Sequence, residues 1–473
     1  MTRRPRLPRF LTNETARVAA VLIVCLAGHR AAGRDLSLPE AQERVRSAHE
    51  ALKAAGHELR ERQAEVGAAD ALRWPKLEAS ARVTRIDDPI TFDLDPIRKV
   101  ILSLHPAVPA ALVPPFTLDV QDDLYERADV RLTWPLFAGG RIGAARDAAR
   151  AREADAGAQL RAVGDALATE VVRRYYAVRL AERARAIRAE VLSALDGHLR
   201  NARRLEEEGF LSRAERLHAE VARTEAEREL KAAGHDLALA REALANVLSL
   251  PAEEADGLVT TTPFFVPAEL PPLPELKAAA RDANPALARL EAAASLASAG
   301  LAAEKGRWYP EVALFGVREL YKPGLTLLDP TWAAGLSARI TLFDGFSREK
   351  GIAAAKERGA RVAELAARAR RDVETLVEKR YREARKAQEQ IEAFGAALEL
   401  ARENVRVRTR AFEEGVATSL DVVDARLSLA KVELGRLAAA RDLDVALAEL
   451  LEAAGRTETY ETLRAGGAGD VEK

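Results

Sequence analysis

The chain has 473 residues, a formal net charge of −1 and 31% charged residues. Charges of both signs are interspersed along it, so no stretch forms the one-signed patch that nucleic-acid binding needs. A single cysteine, Cys25, excludes a disulfide framework within the chain.

The amino end, 1–33, reads as a secretory signal peptide. Arg3, Arg4, Arg6 and Arg9 form a basic start, and the apolar run from Val18 to Gly28 is too short to cross a bilayer as a helix. Small residues suited to signal cleavage follow at Ala27-Gly28 and Ala31-Ala32-Gly33. A retained anchor is the alternative. Val21 to Cys25 has the outline of a lipidation signal, but Val24 is bulky where a small residue is wanted. Cleavage after Gly28 or near Gly33 would remove the one thiol and with it any cysteine-ligated metal.

Leu38 to Leu72 predicts a helix, with Pro39 at a start position and apolar residues at Ala41, Val45, Ala48 and Leu52. Its partner is Leu273 to Ala303, started by Pro274 and broken at Asn284-Pro285. Trp74-Pro75 and Trp308-Tyr309-Pro310 follow the two helices. Period-two alternation then predicts strands at 75–86 and 128–138, and again at 310–319 and 331–343. Runs of about ten residues with one apolar and one polar face have the length and pattern of tilted strands crossing a membrane. Trp74, Trp134, Trp308 and Trp332 fall at or near strand ends, where interfacial aromatics belong. A half-buried soluble sheet would alternate too, but it leaves the edge tryptophans and the secretory signal without a reason. Four strands cannot close a barrel, since about eight is the smallest. The chain must oligomerise, and a trimer would supply about twelve strands. The connection 87–127 is long and Pro-rich, whereas 319–331 is short. The first reads as an outer loop, either solvated or a lid over the mouth.

The stretches after the strands keep one register. Leu136-Phe137-Ala138-Gly139-Gly140 and Leu342-Phe343-Asp344-Gly345-Phe346 lie 342 − 136 = 206 residues apart, and the turn glycines Gly209 and Gly415 keep that offset, 415 − 209 = 206. From Gly140 to Glu208 there is no Pro, on the order of 100 Å of helix. Ile391, Phe394, Leu398, Ala401 and Val405 step by three and four as a coiled-coil seam, continued after the turn by Leu420, Val423, Leu427, Ala430, Leu434 and Leu437. The fold expected is mainly α with membrane β, in a two-fold internal repeat. The first copy spans 34–250, a linker 251–272, the second copy 273–455 and a tail 456–473.

This order of features resembles the outer membrane efflux protein family, the TolC-like channels. The resemblance rests on the signal, the two copies of strand, strand and long helix pair, Leu-Phe-x-Gly at each junction, and the run from Gly415 through Asp421 and Asp424 to Ala425 past the second turn. It covers essentially the whole chain after the signal. It implies a homotrimer, with a twelve-stranded β-barrel in the outer membrane and its lipid, joined to an α-helical coiled-coil barrel through the periplasm. It also implies docking of a periplasmic adaptor protein and an inner-membrane pump of RND or ABC type, and passage of substrates without chemical change. Asp421 and Asp424 would then line the periplasmic pore constriction, and the turns at Gly209 and Gly415 would receive the adaptor.

From the residues alone, Asp421 and Asp424 are equally first-turn acids, favourable at a helix N-terminus. The matching first-copy positions are Glu215 and His218 (421 − 206 and 424 − 206), flanked by Arg213 and Arg216, so the two turns are not equivalent. Arg213 or Arg216 pairing with Asp421 or Asp424 of a neighbour would latch the tunnel; solvated arginines or adaptor contacts are the plainer reading. Gly139, Gly140 and Gly345 read as bends where strand becomes helix. The sequence carries no phosphate-binding loop, hydrolase elbow or paired-histidine metal motif, so neither an enzyme nor a cofactor is expected. The expected function is a passive outer-membrane channel-tunnel of a tripartite efflux or type I secretion system in a Gram-negative bacterium. The alternative is a periplasmic coiled-coil adaptor without a membrane barrel.

Overall fold

The structure, a computed structural model, describes residues 34–115, 117–322, 330–465 and 469–470. The signal segment with Cys25, the centre of the second outer connection and parts of the tail lie outside the described residues.

Strand β1 (Arg34–Leu36) leads into helix α1 (Leu38–Ala48), which starts on a capping box between Ser37 and Glu40. His49 takes an extended backbone and separates α1 from α2 (Glu50–Ala71), so the expected single helix is two. Strand β2 (Lys76–Arg85) follows. A short hairpin of β3 (Ile90–Asp93) and β4 (Thr117–Gln121), with helix α3 (Asp95–Leu104) between them, precedes β5 (Leu124–Ala138). The expected loop 87–127 is therefore a folded insert. Helix α4 (Arg141–Glu207) and helix α5 (Arg213–Val247) make the first long hairpin, and β6 (Leu258–Thr260) and β7 (Phe265–Val266) lie in the linker. The second copy runs through α6 (Leu273–Ala283), α7 (Pro285–Gly306), β8 (Glu311–Tyr321), β9 (Trp332–Arg339), α8 (Ser347–Glu413) and α9 (Ser419–Ala453); α10 (Thr459–Ala465) and β10 (Gly469–Asp470) close the chain.

The repeat holds to the residue. Helices α4 and α8 have 67 residues each and start 347 − 141 = 206 apart; α5 and α9 have 35 each and start 419 − 213 = 206 apart. Earlier elements keep a different offset, 273 − 38 = 235 for α1 and α6 and 311 − 76 = 235 for β2 and β8. The difference, 235 − 206 = 29 residues, falls entirely between β2 and β5.

Strands β2, β5, β8 and β9 form one antiparallel sheet in that order, with β2 and β9 as its edges. Strand β5 begins at Leu124 rather than 128 because β2 runs opposite it as far as Arg85. Strand β9 stops at Arg339 rather than 343 because Arg339 already faces Glu311, and Pro310 before it has no N–H to extend the ladder.

The described residues fall into two compact units. In the unit drawn from Met1–Lys53, Val163–Asn284 and Val373–Lys473, Tyr175 and Tyr176 are fully buried. Their rings meet edge to face at 5.4 Å, and Tyr176 stacks on Phe264 at 5.2 Å. The Tyr175 hydroxyl donates to the Leu36 carbonyl (2.8 Å) and accepts from the N–H groups of Thr261 (3.0 Å) and Thr262 (2.7 Å). One side chain thus satisfies three backbone groups and ties β1 to the linker. The unit drawn from Ala54–Ala162 and Pro285–Asp372 holds the sheet, the insert and both strand-to-helix junctions.

Candidate functional site

Both long hairpins turn on one device. Gly209 takes φ +79° and Phe210 N–H returns to the Leu205 carbonyl (2.8 Å); Gly415 takes φ +74° and Val416 N–H returns to the Ala411 carbonyl (2.9 Å). A left-handed residue with this backward bond is how a helix ends on glycine. Ser212 and Thr418 then cap the returning helices, with Glu215 and Asp421 completing the capping boxes.

That geometry divides the expected acidic pair. The Asp421 carboxylate accepts from Thr418 N–H (2.9 Å), the Thr418 hydroxyl (2.7 Å) and Arg408 Nη1 (3.1 Å). The bonds from Thr418, then the Arg408 charge, hold its pKa below the ordinary carboxylate value. Asp424, one turn on, is exposed, as is its counterpart His218. Arg216 is held by Glu206 (2.6 Å) and Glu220 within its own hairpin, whereas Arg213 is exposed. Asp421 pairs with Arg408 within the chain and with neither arginine of the first turn.

The sequence reading passed over a contact just behind the turns. His198 on α4 is buried, with Nε2 2.7 Å from the hydroxyl of Ser419, the first residue of α9. Its ring lies 4.7 Å from that of Phe412 on α8. Burial first, and the Arg426 charge second, push its pKa down. Leu195, Ala226 and Val423 form an apolar cluster nearby, so the two hairpins are joined here by packing and one polar bond. The available signal was the place of His198 between Leu195 and Leu199 on the seam. The seam on α9 is also rotated from expectation. Leu420 and Leu427 are half-exposed while Ser419, Val422 and Val423 are buried, because the face turned to α4 and α5, not the heptad strip alone, decides burial. Leu427 instead lines a groove of about 310 Å³ with Val191, Ala222 and Leu434.

At the junctions, Gly139 and Gly140 take φ +62° and +78°, and their counterparts Gly345 and Phe346 take +67° and +65°. A phenylalanine therefore adopts a left-handed conformation that the first copy gives to glycine. Trp74, Trp134 and Trp308 stand at the end of the sheet where β2 begins and β5 ends; Trp332 stands at the other end, facing Arg318. The Trp134 indole N–H donates to the Arg73 carbonyl (3.0 Å), and the Arg348 guanidinium lies 4.4 Å over the Trp308 ring. Each tryptophan is well exposed, from 38% for Trp134 to 68% for Trp332. Among the described residues no helix is long and apolar enough to cross a membrane, which says nothing about a barrel, and no cluster of three metal-ligating side chains occurs.

Two equal long helical hairpins and a four-stranded antiparallel sheet with β2 and β9 at its edges make up the architecture of the chain. The chain belongs to the outer membrane efflux protein family, whose model matches residues 42–249 and 276–456. Solved structures share the fold. VceC of Vibrio cholerae is 17% identical, with TM-score 0.71 over 88% of this chain and 96% of VceC. CmeC of Campylobacter jejuni is 12% identical, with TM-score 0.73 over 89% of this chain and 86% of CmeC. The open state of MtrE of Neisseria gonorrhoeae is 20% identical, with TM-score 0.68 over 89% of each chain. No curated protein matches the chain.

Proposed function

We propose that the protein is the trimeric outer-membrane channel-tunnel of a tripartite efflux or type I secretion system, reaching from the outer membrane of a Gram-negative bacterium into the periplasm. The observation that carries this reading is the sheet with two open edges. In lipid, every backbone N–H and C=O needs a protein partner. Three copies that pair β9 of one with β2 of the next satisfy both edges and give about twelve strands. Leu77, Val83 and Leu336, each more than 60% exposed on β2 or β9, suit a lipid-facing surface.

The turns are the proposed docking site for the periplasmic adaptor. Phe210 and Val416, beside Gly209 and Gly415, are 80% and 78% exposed and offer apolar contacts there. The inner-membrane pump, of RND or ABC type, supplies the energy, since the sequence has no nucleotide-binding loop. Asp424 is the proposed pore carboxylate, with Asp421 holding the turn that carries it; a ring of aspartates at a constriction favours cations. The test is fractionation with unheated electrophoresis and planar-bilayer conductance. Detergent-resistant trimers in the outer-membrane fraction that form pores are expected; a monomer confined to the periplasmic fraction would sink the reading in favour of the adaptor.

A further inference from the structure

The apolar face of the four-stranded sheet carries a cation where the first copy is apolar. Arg318 on β8 lies opposite Val130 on β5 and Trp332 on β9. Cross-strand partners share a face, and so do residues two apart along a strand. Arg318 therefore shares its face with Leu132, Leu314 and Leu336, not with the polar side of Ser80, Asp129 and Ser337. At the offset of the early elements, 318 − 235 = 83, the first copy places Val83. A register shift after Ala128 puts Tyr321 opposite that residue on the same face, further from the helices. Arg318, Tyr321 and Trp332 are all exposed, Tyr321 by 55%. Among the described residues, none of the three has a hydrogen bond or ion pair through its side chain.

We propose that Arg318, Trp332 and Tyr321 bind the phosphate of a membrane-lipid headgroup at the outer rim of the channel wall. The proposal rests on the trimeric channel reading above, which turns this face to lipid. Within the four strands, the one carboxylate on the face is Glu126, four residues along β5 from Val130 and not paired with Arg318. On β2 the face carries Leu77, Ala79, Ala81, Val83 and Arg85, so a neighbouring copy that pairs its β2 with β9 brings no counter-charge. The anion has to come from the membrane. Height places it at the headgroups. From Glu311 to Arg318 the strand advances 318 − 311 = 7 residues; at about 3.3 Å each and a tilt near 40°, that is roughly 18 Å of an apolar band of about 25 Å. An arginine on a barrel's lipid face is costly at the midplane and nearly free at the edge, and the side chain covers the remaining ~7 Å by snorkelling. Its planar fork matches two phosphate oxygens. The indole N–H of Trp332 and the hydroxyl of Tyr321 add two donors on rings whose apolar bodies suit that depth.

The test is native mass spectrometry of the full-length, detergent-purified protein, with phosphatidic acid and diacylglycerol of the same acyl chains as probes. Expected is one tightly bound phosphatidic acid per chain of a trimer, about tenfold weaker binding in Arg318→Val, several-fold weaker binding in Trp332→Phe, and no such differences with diacylglycerol. Arg318→Val installs the residue that the first copy has at this place, and it should assemble and conduct in planar bilayers like wild type. The double variant Trp332→Phe/Tyr321→Phe keeps the charge and both rings; it should weaken phosphatidic acid binding several-fold even if Arg318→Val does not assemble. Unchanged binding in an assembled variant of either kind, or diacylglycerol bound as tightly as phosphatidic acid by wild type, overturns the proposal and leaves the channel reading standing where pores form. Inorganic phosphate that competes as well as phosphatidic acid, mole for mole, marks a free-anion site and also overturns it. A wild-type chain that stays monomeric and forms no pore overturns the channel reading and the proposal with it.

Discussion

Replacing Gly139 with Ala should damage its junction more than the same change at Gly345, its counterpart in the second copy. Both residues have positive φ, so each alanine carries the left-handed penalty of roughly 1–2 kcal/mol. Their surroundings differ. A Cβ on Gly345 meets open space, whereas one on Gly139 falls 2.2 Å from the Gly306 carbonyl oxygen and 3.0 Å from Tyr309 Cβ. Gly306 is crowded in return, with a Cβ there 2.6 Å from the Gly139 carbonyl oxygen. Two backbones meet back to back, and no rotamer change relieves the clash, so overpacking adds about 1–3 kcal/mol at Gly139 alone. For a cooperative unit of about 150–250 residues, each kcal/mol moves the melting midpoint by roughly 2–4 °C. Thermal melts of the detergent-purified protein, followed by far-ultraviolet circular dichroism, should therefore separate Gly139→Ala from Gly345→Ala by several degrees. Gly140→Ala (φ +78°, open space) should fall with Gly345→Ala. If all three melt together, the back-to-back contact between Gly139 and Gly306 carries no weight and the reasoning fails.

The carboxylates at the second turn should separate structure from conduction. Asp421→Ala loses the capping box and Arg408 and should lower the melting midpoint, while Asp424→Ala should leave melting unchanged and weaken cation preference in bilayer recordings; unaltered selectivity in Asp424→Ala would remove the pore ring. Tyr175→Phe should orphan the buried N–H of Thr262 at about 1–3 kcal/mol, while the Thr261 N–H keeps the Leu36 carbonyl, and a variant that melts like wild type would show that the hydroxyl is replaceable. Acidification should loosen the packing behind the turns. Because the His198 pKa is depressed, the unfolded chain takes up the proton first, so the contact is at full strength above the ordinary value of 6.5 and weakens as pH falls below it. Hydrogen exchange at the start of α9, compared above and below that pH, should speed up in acid and lose its slope in His198→Gln; a slope that survives the substitution would assign the effect elsewhere.

The order of residues by itself determined the repeat, the 67-residue helices and their turns. Helix continuation without Pro, glycine at a left-handed end and period-two strands are local rules, and they act on neighbours along the chain. For that reason the spacing between Gly209 and Gly415 predicted the matched hairpins before any contact was known. What needed the tertiary structure depends on residues far apart in sequence. Asp421 is held partly by Arg408 from the preceding helix, while Asp424 is left exposed. Gly139 is crowded by Gly306 while Gly345 is free. His198 finds Ser419 across 221 positions. Equivalent positions in the two copies obey the same local rules and meet different neighbours, and that difference separates their roles.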